Sequence, residues 1–302
     1  LSSAKRIMLT GANGQIGQAL RNGPLPAGWE LGAYSRAEFD ITDHGAVQAA
    51  MRDFKPDFIV NAAAMTAVDK AEGDLHQATI VNFEALANLA AQCSAMDIPL
   101  LHLSTDYVFD GQDNEVPYKT DDKMNPVNVY GHSKMMGEEA LRHELAWHII
   151  LRVSSVFSSF SRNILTNFLK MIDERDELKI ITDQKSCPTY APDIAKAIIE
   201  MAKAVCAGKH DGFGTFHYCG EPAVTRFELF GEIMKAYAPY TERHPSVVPV
   251  KSADLPGFAP RPAYSVLDCS KIRDVYGIAQ RPWRDGLRDA MTILMRERRK
   301  LS

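Results

Sequence analysis

Three observations predict an α/β fold built on a doubly wound parallel sheet. Short apolar runs at 7–10, 31–34, 57–61, 99–105 and 148–153 have the length of buried strands. Longer segments with helical spacing separate them, and such alternation is what parallel pairing requires. The first run stops at Gly11-Ala12-Asn13-Gly14-Gln15-Ile16-Gly17 and resumes as a helix through Ala19 and Leu20. Strand, glycine turn and helix in that order are the setting of a dinucleotide-binding loop, so the sheet is Rossmann-type. Residues 1–153 form the predicted dinucleotide-binding domain. From Ser158 the pattern loosens, and 154–302 reads as a smaller α+β substrate-binding domain. Its segments 178–183 and 214–219 are expected to revisit the first sheet.

At 302 residues the chain can bury a sizeable core, and 46% hydrophobic residues mark it as globular. A net charge of −4 gives no reason to expect nucleic acid or a membrane surface as partner. The run Arg296, Arg298, Arg299, Lys300 reads as a solvated helix end. Cys93, Cys187, Cys206, Cys219 and Cys269 are scattered, odd in number and without a Cys-x-x-Cys, which suits reduced thiols. The opening Leu1 to Arg6 runs straight into the first strand without a secretory apolar region, and its first residue, not Met, suggests trimming. The expectation is a cytoplasmic protein.

Each element carries its own chemistry. In the turn, Gly11 permits the tight bend, Gly14 lets backbone approach a pyrophosphate, and Gly17 lets the helix pack on the strand. The helix start offers N–H donors and a positive dipole end to the phosphates. The spacing is Gly-x-x-Gly-x-x-Gly, and no Lys-Ser/Thr follows, so a P-loop is excluded. Arg36 stands just past the second strand, where the adenosine ribose is met. It either pairs with a 2′-phosphate, favouring NADP, or is a solvated surface cation. Asp40 could face the adenine amino group, and Thr42 or Asp43 caps the next helix. The third strand ends in Ala62-Ala63-Ala64, small enough for a ligand to approach the backbone or for dense packing. Thr66 and Asp69 follow in the loop. Then comes a long amphipathic helix, 78–95, carrying Asn82. The fourth strand delivers Thr105, Asp106 and Tyr107 at its carboxyl end, where ligands sit in open α/β sheets. The fifth ends in Ser154 and Ser155. Helices are expected at 163–174, 192–206 and 226–238, short strands at 179–182 and 215–218, and a Pro- and Gly-rich loop at 254–263. The nine His are dispersed, and no spacing resembles a metal site.

The most readable chemistry lies at Tyr130-Gly131-His132-Ser133-Lys134. A helix beginning near Asn128 places Tyr130 and Lys134 on one face, one turn apart. A phenol with a pKa of about 10 holds its proton too firmly near neutrality. An ammonium about 4–6 Å away can lower that pKa by roughly 1–3. Such a pair donates a proton to a carbonyl oxygen as hydride arrives at its carbon. The Thr105 hydroxyl could hold that carbonyl in line with Tyr130.

The glycine loop, the Thr105 strand end and the Tyr130/Lys134 helix occur in the order of an extended short-chain dehydrogenase/reductase. Segments 60–72, 104–109 and 125–131 resemble those of the dTDP-4-dehydrorhamnose reductase family. So do Thr182-Asp183-Gln184 with Pro188-Thr189, and Arg261-Pro262 with Ser265 and Leu267-Asp268. The resemblance covers nearly the whole chain. It implies reduction, by NADPH or NADH, of the 4-keto group of a dTDP-linked 6-deoxyhexose to give dTDP-L-rhamnose. By position, Tyr130 would protonate the C4 oxygen, Lys134 would tune Tyr130 and hold the nicotinamide ribose, and Thr105 would orient the carbonyl. Gly11, Asn13, Gln15 and Ile16 would line the phosphates. Asp40 and Ile41 would meet the adenine, and Ala62 to Ala64 the adenosine half. Thr66, Asp106, Tyr107, Ser155 and Arg261 are the candidates for the sugar nucleotide. Members often carry Trp where Ser155 stands, which bears on the hexose. A magnesium-bridged dimer in some relatives uses a glutamate where Ala19 stands, so no metal is expected, and a homodimer is left open. A related dehydratase would carry an acid pair after the Thr, whereas Tyr107 follows Asp106 here. Two other readings stay open: a reductase of another nucleotide-linked 4-keto-6-deoxysugar, and a non-catalytic NADP-binding regulatory subunit.

Overall fold

The computed structural model describes residues 4–112, 116–255 and 257–301. Leu1 to Ser3, and Pro256 in the 254–263 loop, lie outside the described residues. Strands β1 (Arg6–Thr10), β2 (Glu30–Tyr34), β3 (Phe58–Asn61), β4 (Leu100–Thr105) and β5 (His148–Val153) pair in the order 2-1-3-4-5. A sixth strand, Gly214–Tyr218, pairs with the free edge of β5, and all six are parallel. The order reverses between β1 and β3, so the loops leaving those strands part there and open a crevice. β4 is buried along its whole length, as the near-continuous apolar run of a sheet covered on both faces requires.

The helices start where local chemistry says they should. Asp43 accepts from the Ala46 N–H to open His44–Phe54. Asn163 and Thr225 each form a capping box, opening Ile164–Glu174 and Arg226–Tyr237. Asn128 opens Val129–Glu144 by accepting from the Gly131 N–H. The long helix after β3 runs from Leu75 to Met96, but residues Ile80–Glu84 form a wider π turn that carries Asn82.

Segment 178–183 does not join the main sheet. Glu177–Ile181 pairs instead with Ser246–Val250 in a separate two-stranded ribbon. Pro249 lies in that ribbon, where the missing N–H is tolerated because the strand has no neighbour on its other side. The core divides accordingly. One cluster lies around the sheet strands and the helix Ala191–Cys206. Another gathers Phe168, Phe230, Tyr237 and Trp283 between the helices Ile164–Glu174, Arg226–Tyr237 and Trp283–Leu301. The basic end of the last helix is exposed, and its Arg298 pairs with Asp173. No helix among the described residues is long and apolar enough to cross a membrane.

Candidate active site

The crevice begins at the β1 turn. Gly11 has φ +71°, and a Cβ there would lie 2.5 Å from the Ala63 nitrogen, so only glycine lets the β1 and β3 loops touch. A Cβ on Gly17 would lie 2.3 Å from the Gly11 carbonyl. Gly14 caps the helix Gln15–Asn22 with no side-chain acceptor, which leaves the N–H groups of its first turn for an anion. This cradle fits a dinucleotide pyrophosphate. The side chains beside it have partners in the protein: Asn13 accepts from Arg21, and Gln15 accepts from Ser158 at 2.8 Å. Ile16 packs against the core. Ala62, Ala63 and Ala64 are half-buried at the end of β3. Arg36 is exposed and donates to Asp40 at 2.8 Å, while Asp40 also accepts from the Thr42 N–H and hydroxyl. Ile41 is buried behind them.

Tyr130 stands at the start of its helix against Tyr107, ring centroids 5.9 Å apart and edge to face. The helix reaches that position because Gly131 has no side chain; a Cβ would sit 2.1 Å from the Tyr107 carbonyl. The Asn82 amide anchors the same helix. It donates to Ser133 at 2.9 Å and exchanges hydrogen bonds with the Met65 backbone.

The expected acidification of Tyr130 by Lys134 is overturned. Burial pushes the phenol well above its usual value, and the group working against this is the Thr105 hydroxyl. The Lys134 nitrogen instead donates to the Leu103 carbonyl and meets the His102 ring nitrogen, each at 2.7 Å. Burial draws its pKa down to about 7, with Glu138 opposing. One turn of helix does bring Tyr130 and Lys134 to one face, but the lysine is held from β4.

Thr105 donates to Asp106 at 3.2 Å and accepts from the Tyr107 N–H. Asp106, a candidate for substrate contact, turns inward. It is 2% exposed and accepts from Ser154 at 2.8 Å and Ser265 at 2.6 Å. It therefore holds Thr105 and the two later loops together. Burial raises its carboxyl from 3.8 to about 6 despite those donors. The folded protein thus keeps the proton after the unfolded chain has lost it. The Asp106 contribution is full below 3.8 and is lost as the pH rises to about 6. Thermal unfolding across that window should show the native protein losing stability relative to Asp106→Asn as pH increases.

On the substrate side, a cavity of about 810 Å³ is lined by Phe168, Gln184, Arg226, Phe258 and Arg261, among others. A narrower recess joins it to Tyr107, Ser155 and Ser265. Ser155 has φ +42° and shares a hydrogen bond with Ser186. Arg261 is clasped by both oxygens of Asp69 at 2.8 and 2.9 Å and donates to the Ala259 carbonyl. Thr66 is exposed on the loop beyond β3. Arg226 went unnoticed in the sequence. It borders both the cavity and the recess, donates to Gln184, and lies over Phe168. Its one signal was its place just after a Thr capping box, at the first position of a helix.

Residues 5–296 match the family model described as RmlD substrate binding domain. A dTDP-4-dehydrorhamnose reductase of Sinorhizobium fredii is 36% identical, over 97% of this chain and 98% of that one. Two solved structures superpose over 96% of this chain and 99% of theirs. The dTDP-4-dehydrorhamnose reductase of Clostridium acetobutylicum has TM-score 0.87 at 29% identity. That of Bacillus anthracis, in complex with NADP, has TM-score 0.86 at 28% identity.

Proposed function

The chain belongs to the dTDP-4-dehydrorhamnose reductase family, and from that premise we propose that it reduces the 4-keto group of dTDP-4-dehydrorhamnose to give dTDP-L-rhamnose. NADPH or NADH, when bound, supplies the hydride. The observation that carries the reading is the meeting of the Tyr130 phenol with the Thr105 hydroxyl at the carboxyl end of β4. That edge faces the same side of the sheet as the Gly11 turn. Burial keeps the Tyr130 proton in place at neutral pH, so the group is loaded as a donor. It passes that proton to the C4 oxygen as negative charge develops there. Thr105, fixed by Asp106 and the Tyr107 N–H, orients the same oxygen. Lys134 holds the nicotinamide ribose hydroxyls. Gly11, Gly14 and Gly17, with the backbone of Asn13, Gln15 and Ile16, hold the pyrophosphate. Arg36, Asp40 and Ile41 bound the adenosine end, with Ala62 to Ala64 beneath.

The sugar nucleotide then runs from Tyr130 across Tyr107 into the large cavity, where Arg226 and Arg261 supply positive charge for a diphosphate. Arg226→Ala should raise KM for the nucleotide sugar about 10- to 100-fold, the worth of one charge-assisted hydrogen bond, with kcat within about threefold. Steady-state kinetics checks this, and an unaltered KM removes Arg226 from the site.

Oxidation of NADPH on addition of dTDP-4-dehydrorhamnose, with the product identified by NMR, tests the whole reading. Cofactor binding without turnover would mean a regulatory subunit. Turnover of a different nucleotide-linked 4-keto-6-deoxysugar would move the specificity, and Ser155, small where an aromatic wall is common, is the feature that favours this second reading. All five cysteines are free thiols, including Cys219 and Cys269 with sulfurs 3.5 Å apart, which supports a reducing cytoplasm as the setting.

A further inference from the structure

A row of buried polar side chains crosses the sheet beneath the site. Asn61, at the end of β3, accepts at its carbonyl oxygen from the Thr10 hydroxyl at 2.6 Å and from the Ala63 N–H at 3.1 Å. A backbone N–H cannot be turned round, so this contact fixes which end of the amide is oxygen. The Asn61 NH₂ must then face the His102 Nδ1, 3.1 Å away. A nitrogen receiving that donor carries no proton of its own, and a neutral imidazole has one proton to place. It therefore sits on Nε2, which is 2.7 Å from the Lys134 nitrogen. Thr10, Asn61, His102 and Lys134 are all 1% exposed, so water offers no alternative partner.

We propose that the row Thr10–Asn61–His102 is a positioning device for Lys134: it presents an imidazole N–H to the lysine nitrogen and thereby fixes where that nitrogen sits and which partner it donates to. The nitrogen accepts from His102 while donating to the Leu103 carbonyl, which is the pattern of an amine, not an ammonium. Burial and the neighbouring Lys134 both keep His102 neutral, well below its ordinary value. The charged group facing Lys134 from its own helix is Glu138, and it is bound by Arg152 from β5 and by Arg142. When Lys134 takes up a proton, His102 no longer has an acceptor for its N–H. The lysine then favours an outward partner over the sheet. His102 is a positioning residue, and the inference rests on the proposed reductase, in which Lys134 holds the nicotinamide ribose.

Two measurements test it. Imidazole ¹⁵N spectra of the native protein near neutral pH, with His102 assigned by its loss in His102→Gln, should show the proton on Nε2. In Asn61→Asp, which offers only acceptors, the proton should move to Nδ1. A native His102 protonated on Nδ1, or on both nitrogens, overturns the proposal whether or not the protein turns over substrate. The second measurement is the pH profile of kcat. His102→Gln places an amide where Nε2 was and keeps a contact for Lys134. His102→Asn places one where Nδ1 was and abandons it. The Asn variant should lose about 10- to 100-fold in kcat, since a misplacement of about 1 Å in a site can cost on that order, with a displaced pH profile. The Gln variant should recover most of the loss. Equal loss in both variants with an unmoved profile means packing alone and overturns the proposal. If the native protein reduces no dTDP-4-keto sugar, the reductase reading fails, and the spectra still decide the row.

Discussion

Tyr130→Phe should lower turnover by about 10²- to 10⁴-fold, the usual worth of one general acid, and leave NADPH affinity within about threefold. The change removes one oxygen and little else. The ring keeps its edge-to-face packing on Tyr107. The helix keeps its place, because Asn128 holds its first turn, Asn82 holds Ser133, and Gly131 lies against the Tyr107 backbone. A loss in kcat with unchanged cofactor binding and melting temperature would therefore report the proton alone. Single-turnover oxidation of bound NADPH on mixing with the keto sugar is the decisive measurement. A Phe variant with native rates would mean that another group protonates the sugar oxygen, and Thr105 would be the next candidate.

The largest effect on stability is expected about two turns further along the same helix. Glu138 is wholly buried and receives Arg152 from β5 at 2.7, 2.9 and 3.2 Å, and Arg142 at 2.7 Å. Burial works to raise its carboxyl, but the two guanidinium groups outweigh this and hold it below the ordinary value. Its stabilising contribution is therefore present at neutral pH and lost on acidification through that lowered value. Glu138→Ala leaves the Arg152 charge buried with no carboxylate, keeping the Thr120 carbonyl, His217, Met124 and the Phe109 ring as neutral partners. Stranding one member of such a pair costs about 3–5 kcal/mol. Urea unfolding should show that loss. Glu138→Leu combined with Arg152→Met should recover most of it, since the pair's own desolvation cost then disappears as well.

Much of this was written in short-range signals. Apolar runs ending in Gly11 and Thr105 located β1 and β4, and Asp43, one of two expected caps, opens the helix after β2. The glycine turn was legible because its spacing is local, although what Gly11 touches, Ala63 beyond β3, is not. What escaped depends on partners far away in sequence. Lys134 was paired with Tyr130 because four residues separate them, yet its closest contacts come from His102 and Leu103 on β4. Asp106 follows Thr105 and so looked ready to meet a ligand. Ser154 and Ser265, from two distant loops, turn it inward. Glu177–Ile181 has a strand pattern, and nothing local says that its mate is 246–250 and not the main sheet. Arg226 escaped because the cavity it borders is built from residues far from it in sequence.

The π turn at 80–84 makes residue count, more than residue type, the constrained quantity in that stretch. Each added residue advances a helix by about 100°, and the stripe Leu86, Leu89 and Cys93 meets the sheet core only with that extra step included. A deletion or insertion of one residue between 75 and 85 would swing either the stripe or the Asn82 amide out of phase. Met65 beyond β3 and Ser133 beside the phenol would lose their common anchor together. Neighbouring side chains can exchange freely there so long as the frame is kept.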